Sequence, residues 1–161
     1  MIKRYKMNWE MIVVMIYVDC DACPVKDITE RIAKENKIEL CLVTDVNHVI
    51  TSDYAEVVTV SQGADSVDIY LINMVKNGDI VITQDYGVAA MALSKGGLAL
   101  NQNGLVYTQE NIDRLLFERH LSAKVRRSGG KHKNAPKRTK QDDMNFLEAL
   151  KGLLDKCMSS L

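Results

Sequence analysis

The sequence predicts an α/β fold built on a largely parallel sheet with helices on both faces. Three observations carry that prediction. Short apolar runs rich in Val, Ile and Leu alternate with segments whose apolar residues recur every three or four positions, as in chained βαβ units. The first run is apolar on both faces, as a strand covered on both sides must be. At 161 residues, 47% of them hydrophobic, the chain suffices for one domain with a full core.

The first strand is the apolar run 13–18, which ends abruptly in Asp19-Cys20-Asp21-Ala22-Cys23-Pro24. Pro24 suits the first turn of a helix, where its missing N–H costs nothing. A helix is expected over 24–35, with Val25, Ile28 and Ile32 on one face. Residues 38–43 form a second strand, 45–55 a polar loop and 57–60 a third strand. Gly63-Ala64-Asp65 then punctuates the chain, and a helix over 66–76 turns Val67, Leu71, Met74 and Val75 inward before Asn77-Gly78 stops it. A fourth strand, 79–83, leads directly into Gln84-Asp85. A helix over 87–95 ends at Gly96-Gly97, and residues 98–100 make a fifth strand. After a turn at 101–104, Thr108 can N-cap a helix that reaches about residue 120. The last helix, 141–157, carries Phe146, Leu150, Leu153 and Leu154 on one stripe. The chain thus divides into an N-terminal extension, 1–14, expected to be poorly ordered, and a single domain, 15–157.

The charge is zero in sum and uneven in place, with 21 cations balancing 21 acids. Eight of the cations and none of the acids lie between residues 121 and 140, so the remainder carries a balance of −8. That segment is expected to be a basic, flexible loop at 122–140 around Gly129-Gly130 and Pro136. It can be a solvated loop or an arm that binds phosphates. Its cations include Arg126, Arg127 and Lys131, with no aromatic residue among them, which suits sequence-independent contact with a nucleic-acid backbone. Lys26, in the first turn after the acids, can contact a phosphate or be a solvated helix residue.

No run is long enough to span a membrane. Lys3, Arg4 and Lys6 before an apolar run mimic a secretory leader, but Asp19-Cys20-Asp21 is no small-residue cleavage site. Four cysteines in a chain of this size, without a clear leader, point to reduced thiols and a cytoplasmic protein. Cys20-Asp21-Ala22-Cys23 invites a thioredoxin-like reading, yet no helix precedes it and no proline is placed to oppose the thiols. As half of a zinc site it lacks a second pair, and Cys23 reads better as a buried, inert thiol.

Asp19, Asp21 and Asp85 each stand at or just past the carboxyl end of an apolar strand. In a parallel sheet those ends share one edge, where open α/β sheets place their ligands. Asp65 and Asp68 bracket the start of the helix after the third strand and can face the same edge. Clustered carboxylates repel one another unless a cation sits among them, and a hard divalent ion is the usual one. Such an ion binds phosphate oxygens and activates water. Against this, acids at helix starts cap and complement the dipole, and for Asp65 taken alone capping is the stronger reading. Asp68 reads equally well as a surface acid. Asp19-Cys20-Asp21 also resembles the opening of haloacid-dehalogenase-type phosphatases, in which the first Asp is the nucleophile and the second the acid/base. Asp79 and Asp85 can stand for the later acidic motif of that group, although no lysine motif separates the two.

Six stretches together resemble the bacterial YaiI/YqxD family of uncharacterised proteins: Val18 to Lys26, Gly63 to Asp68, Gly78 to Asp85, Lys95-Gly96, Tyr107 to Ile112 and Asp142 to Phe146. The resemblance covers residues 15–154. Cys20 stands where the family has Ala, and Asp143 where Arg is expected. The family is grouped with PIN-like folds, whose better-known members are metal-dependent ribonucleases. The resemblance therefore implies a three-layer α/β/α sandwich with an acidic cluster binding Mg²⁺ or Mn²⁺. By position, Asp19 and Asp85 become the foremost ligands, with Asp21, Asp65 and Asp68 beside them and Asp142 further off. The expected function is a divalent-metal-dependent nuclease acting on RNA, with Asp19, Asp21 and Asp85 catalytic and Lys26, Arg126, Arg127 and Lys131 on the strand. The alternatives are a non-catalytic module that binds RNA or protein, and the phosphatase.

Overall fold

Alternate residues of each central strand enter opposite cores. Ile16 and Val18 of β1 (Met15–Asp19), Leu40 and Leu42 of β2 (Glu39–Asp45), and Ile80 and Ile82 of β4 (Ile80–Ile82) pack into one. Tyr17, Cys41, Val43 and Val81 pack into the other. This two-residue period, buried on both sides, is why the strands read as continuous apolar runs. The first core is closed by Val25, Ile32 and Ala33, at and along α1 (Lys26–Asn36), and by Phe146, Leu150, Leu153 and Leu154 of α5 (Lys140–Ser159). The second is closed by Leu71 of α2 (Ser66–Met74), Val88, Ala89 and Ala92 of α3 (Tyr86–Ser94), and Ile112 and Leu115 of α4 (Gln109–Arg127). The result is a three-layer α/β/α sandwich. These assignments come from a computed structural model, which describes residues 13–21, 23–63, 65–129 and 136–159.

With β3 (Glu56–Val60), β5 (Leu98–Leu100) and β6 (Val106–Tyr107), the sheet order is β3-β2-β1-β4-β5-β6. Every neighbouring pair is parallel except β5 with β6. The chain first winds from β1 outward to β3, then returns across β1 to β4 and winds the other way. The crossovers of the first half run over the α1 face and those of the second half over the α2 and α3 face. Such a reversal leaves a crevice outside the carboxyl ends of the two strands that flank it, here β1 and β4. The β2-to-β3 crossover has no helix of its own. Tyr54 pins it instead, its hydroxyl donating to the Ile38 carbonyl at 2.7 Å, just past α1, with the Ala33 carbonyl 3.2 Å away.

The elements follow the sequence with physically intelligible exceptions. The first helix starts at Lys26, after a turn through Pro24 and Val25. β2 runs on to Asp45 because Thr44 and Asp45 pair with Thr59 and Val60 of β3, which a polar dipeptide does not announce. β6 is only two residues long and has no legible period. The segment expected as a loop over 122–140 is helical at both ends. α4 continues to Arg127, its basic last turn complementing the helix dipole, and Gly129 takes the positive φ of 87° just beyond it. Residues 130–135, Lys131 among them, and residues 1–12 of the N-terminal extension lie outside the described residues.

Arg138, near the end of the basic segment, is engaged within the fold. Its guanidinium donates to the Asp143 carboxylate at 2.8 Å, the Asn103 side chain at 2.9 Å and the Gln102 carbonyl at 2.9 Å, clamping the β5–β6 turn to the start of α5. In the same turn a Cβ on Gly104 would lie 2.5 Å from the Asn145 carbonyl oxygen, so the glycine lets the turn touch the helix backbone. Among the described residues no helix is long and apolar enough to cross a membrane.

Candidate metal centre

The crevice between β1 and β4 is an open cavity of about 470 Å³. Asp19 reaches it as the last residue of β1 and Asp21 from the turn that follows. Asp85 reaches it from the N-cap of α3, just after β4, and Asp65 and Asp68 from the start of α2. The structure thus brings together all five acids singled out in the sequence.

Thr83, buried just past β4, organises the centre. Its hydroxyl donates to Asp19 Oδ2 at 3.1 Å and accepts from the Asp85 backbone N–H at 3.0 Å. The Asp21 N–H donates to Asp19 Oδ1 at 3.3 Å. Burial pushes the Asp19 carboxyl above its ordinary pKa, the two hydrogen bonds oppose that rise, and Asp21 and Asp85 add to it. Asp85 N-caps α3 through Oδ1, which accepts from the N–H groups of Gly87 at 2.7 Å and Val88 at 3.1 Å. Its Oδ2 faces Arg119 of α4 at 3.6 Å. The Asp68 carboxyl is pushed up to about 6 by burial, then by Asp85, Asp19 and Asp65, with Arg119 opposing. Asp65 does not cap α2. It takes the left-handed conformation at φ 68° and makes no side-chain cap bond, so the capping explanation for it fails.

Among the other residues that line the cleft, sequence reasoning did not place Asp45, Gln84 and Arg119 there. Asp45 had a legible signal, an acid at a strand's carboxyl end, hidden only because the strand was ended two residues early. It is already engaged, since hydrogen bonds from His48 and Asn47 hold its carboxyl below the usual range. Arg119 had no signal, because its helix contacts the site only in three dimensions.

Other candidates lie elsewhere. Lys26 pairs with Asp27 at 2.8 Å and lines a separate groove with Glu30 and Arg31. Arg126 lines a groove beside the cleft, and Arg127 is exposed in the last turn of α4. Asp142 caps α5, accepting from the Thr139 N–H and hydroxyl at 2.7 and 2.8 Å. Asp79 lies at the opposite edge of the sheet, its two carboxylate oxygens accepting from the Met15 and Lys76 N–H groups, and so cannot join Asp19 and Asp21 in a phosphatase acid set. All four cysteines are free; Cys20 is buried, its thiol pushed up to about 12 by that burial, and Cys23 is half-buried rather than buried.

The carboxylates present offer hard oxygen donors, which is the chemistry Mg²⁺ or Mn²⁺ requires. As the side chains lie, no three carboxylate, imidazole or thiol groups among the described residues converge on one point. An ion that takes one or two carboxylates and keeps much of its water shell, as Mg²⁺ does, needs no such convergence.

Fold and crevice together define a doubly wound α/β protein with an acidic centre at its topological switch point. The chain belongs to the uncharacterised YaiI/YqxD family, whose family model matches residues 17–156. A UPF0178 protein of Ruminiclostridium cellulolyticum is 56% identical over 135 residues, covering 84% of this chain and 88% of the relative. One of Alkaliphilus oremlandii is 54% identical over 140 residues, 87% and 90% of the two chains. One of Clostridium tetani is 51% identical over 141 residues, 88% and 97%. No solved structure matches the chain.

Proposed function

We propose that the protein is a cytoplasmic, divalent-metal-dependent nuclease that hydrolyses phosphodiester bonds in RNA on a PIN-like fold. The observation that carries this reading is the crowding of Asp19, Asp21, Asp65, Asp68 and Asp85 around a 470 Å³ crevice, where Arg119 is the one cation among the described lining residues. Carboxylates brought together at a cost in repulsion are stabilised by a cation, and this edge of the sheet is where such folds place ligands. Asp19 and Asp85 would hold Mg²⁺ or Mn²⁺, with Asp21, Asp65 and Asp68 around it. The bound ion would polarise the phosphate and lower the pKa of a water. Thr83 fixes the direction of Asp19, and Arg119 balances Asp85 until an ion or a phosphate takes over one of the pair. Arg126 and Arg127, in the last turn of α4, would hold the strand together with Lys131, which lies outside the described residues. Four free thiols support a reducing compartment.

A non-catalytic module that binds RNA or protein is the second reading. It is favoured by the engagement of Asp85 as a helix cap and ion-pair partner. Calorimetric titration of Mn²⁺ into the wild type and into an Asp19→Asn, Asp85→Asn double variant separates the two. Asparagine caps helices as well as aspartate does, so the double variant should keep α3. The nuclease reading expects binding in the wild type, loss in the variant, and loss of Mn²⁺-dependent RNA cleavage with Asp19→Asn alone. Wild-type protein that takes up no Mn²⁺, even with RNA present, leaves the binding module.

A further inference from the structure

Beside the acidic cleft lies a second groove of about 490 Å³. Gln84 and Tyr86 form one wall, and Glu118, Arg119, Ser122 and Arg126 of α4 form the other. Gln84 and Arg119 also line the acidic cleft, so the two cavities adjoin. Arg119 and Arg126 are seven residues apart, which sets them on one helix face about 10 Å apart along the axis. The acid in the groove, Glu118, is paired with Arg114 at 3.2 Å, and Arg126 makes no ion pair among the described residues. Tyr86 is half-buried and braced by Tyr107, with ring centroids 5.8 Å apart and planes at 68°. The Tyr107 hydroxyl donates to the Thr83 carbonyl, so the aromatic wall stands on the residue that also orients Asp19.

We infer that this groove is a track for single-stranded nucleic acid leading into the acidic cleft. Arg119 and Arg126 hold backbone phosphates of the same strand, Ser122 donates a hydrogen bond between them, and Tyr86 stacks an unpaired base. Cations spaced along a groove with an aromatic platform bind single strands with little regard to sequence. The cations between residues 121 and 140 have no aromatic residue among them in the sequence, but for Arg126 the fold supplies one from the start of α3. What happens at the end of the track rests on the nuclease reading, whereas the track itself does not.

The test is fluorescence anisotropy of a short labelled oligouridine in chelating buffer, across a range of salt. Wild type should bind, more weakly as salt rises. Arg126→Glu should lose at least about tenfold in affinity and flatten the salt dependence. Tyr86→Leu should lose about tenfold, while Tyr86→Phe keeps the affinity because the ring remains. Lys34→Glu, on α1, controls for a general charge effect and should change nothing. Wild-type affinity in Arg126→Glu and Tyr86→Leu, or equal affinity for a duplex of the same length, overturns the track. Hydrolysis in Mn²⁺ is read on the same samples. Binding that needs Arg126 and Tyr86 with no hydrolysis by the wild type keeps the track and removes the nuclease. Hydrolysis whose KM ignores both substitutions does the reverse.

Discussion

Asp68 shows what the crevice costs a single side chain. Its carboxyl keeps a proton up to about pH 6 in the folded protein, because burial and three neighbouring acids disfavour its charge. In the unfolded chain an aspartate gives up that proton near pH 4 (roughly 3.9). The folded state therefore binds more protons between those values, and this group's contribution to stability falls as pH rises through the window. Asp68→Asn should stabilise the metal-free protein at pH 7 by about 1 kcal/mol, a figure reduced for solvent screening of a partly exposed group. The gain should vanish below about pH 4, where the wild-type carboxyl is neutral in both states. Urea unfolding in chelator at the two pH values reads it, and an equal gain at both would disprove an electrostatic origin. Residues of this kind were legible because acids at strand ends and helix starts are visible in one dimension. Thr83 and Arg119 were not. A threonine closing a strand looks like any β-branched residue, and an arginine on a distant helix acquires its role only when α4 packs on α3.

At the scale of elements, α4 sets the cationic side of the crevice, and its start holds it there. Thr108 and Asn111 exchange side-chain and backbone hydrogen bonds in a capping box, at 3.2 and 2.9 Å. The Asn111 amide also donates to the Val106 carbonyl at 2.9 Å, which ties the cap to β6. Thr108→Ala should cost about 1 kcal/mol of stability. It should also loosen the helix that carries Arg119 and Arg126, so hydrogen exchange should rise first in the opening turn of α4, and unchanged exchange there would show that the packing of Ile112 and Leu115 positions the helix alone. The cap was legible from Thr108 itself. The helix end was not, because Lys124, Arg126 and Arg127 look like a charge run in a loop, although lysine and arginine are good helix formers and suit a helix's last turn. The strands at the sheet edges were read less well than the central ones. Buried strands announce themselves by composition, whereas β6 and the last two residues of β2 owe their state to a pairing partner.

Across the whole molecule, the two edges of the sheet treat buried carboxylates in opposite ways. At the edge away from the crevice, Asp79 is buried and alone, and both oxygens are matched to N–H donors, Met15 at 3.1 Å and Lys76 at 2.8 Å. It joins the first strand to the turn before the fourth, the pair whose adjacency creates the switch point. At the crevice edge the carboxylates are crowded, strained at Asp65, and only partly matched. The first arrangement serves the fold; in the second Asp85 still caps α3, while the crowding around Asp19 and Asp68 is what is expected when a site is held at some cost to stability. Replacing the two acids should therefore have opposite signs. Asp79→Ala leaves two part-buried N–H groups without their acceptor and should cost about 1–2 kcal/mol. Asp19→Asn removes a charge from a repulsive cluster while keeping an oxygen for Thr83, and should leave metal-free stability unchanged or raise it. Parallel urea titrations in chelator measure both, with the Asp79 variant expected to keep any Mn²⁺ affinity that its folded fraction allows. Two losses of equal size would mean that Asp19 is as structural as Asp79, and the crevice would then be part of the scaffold.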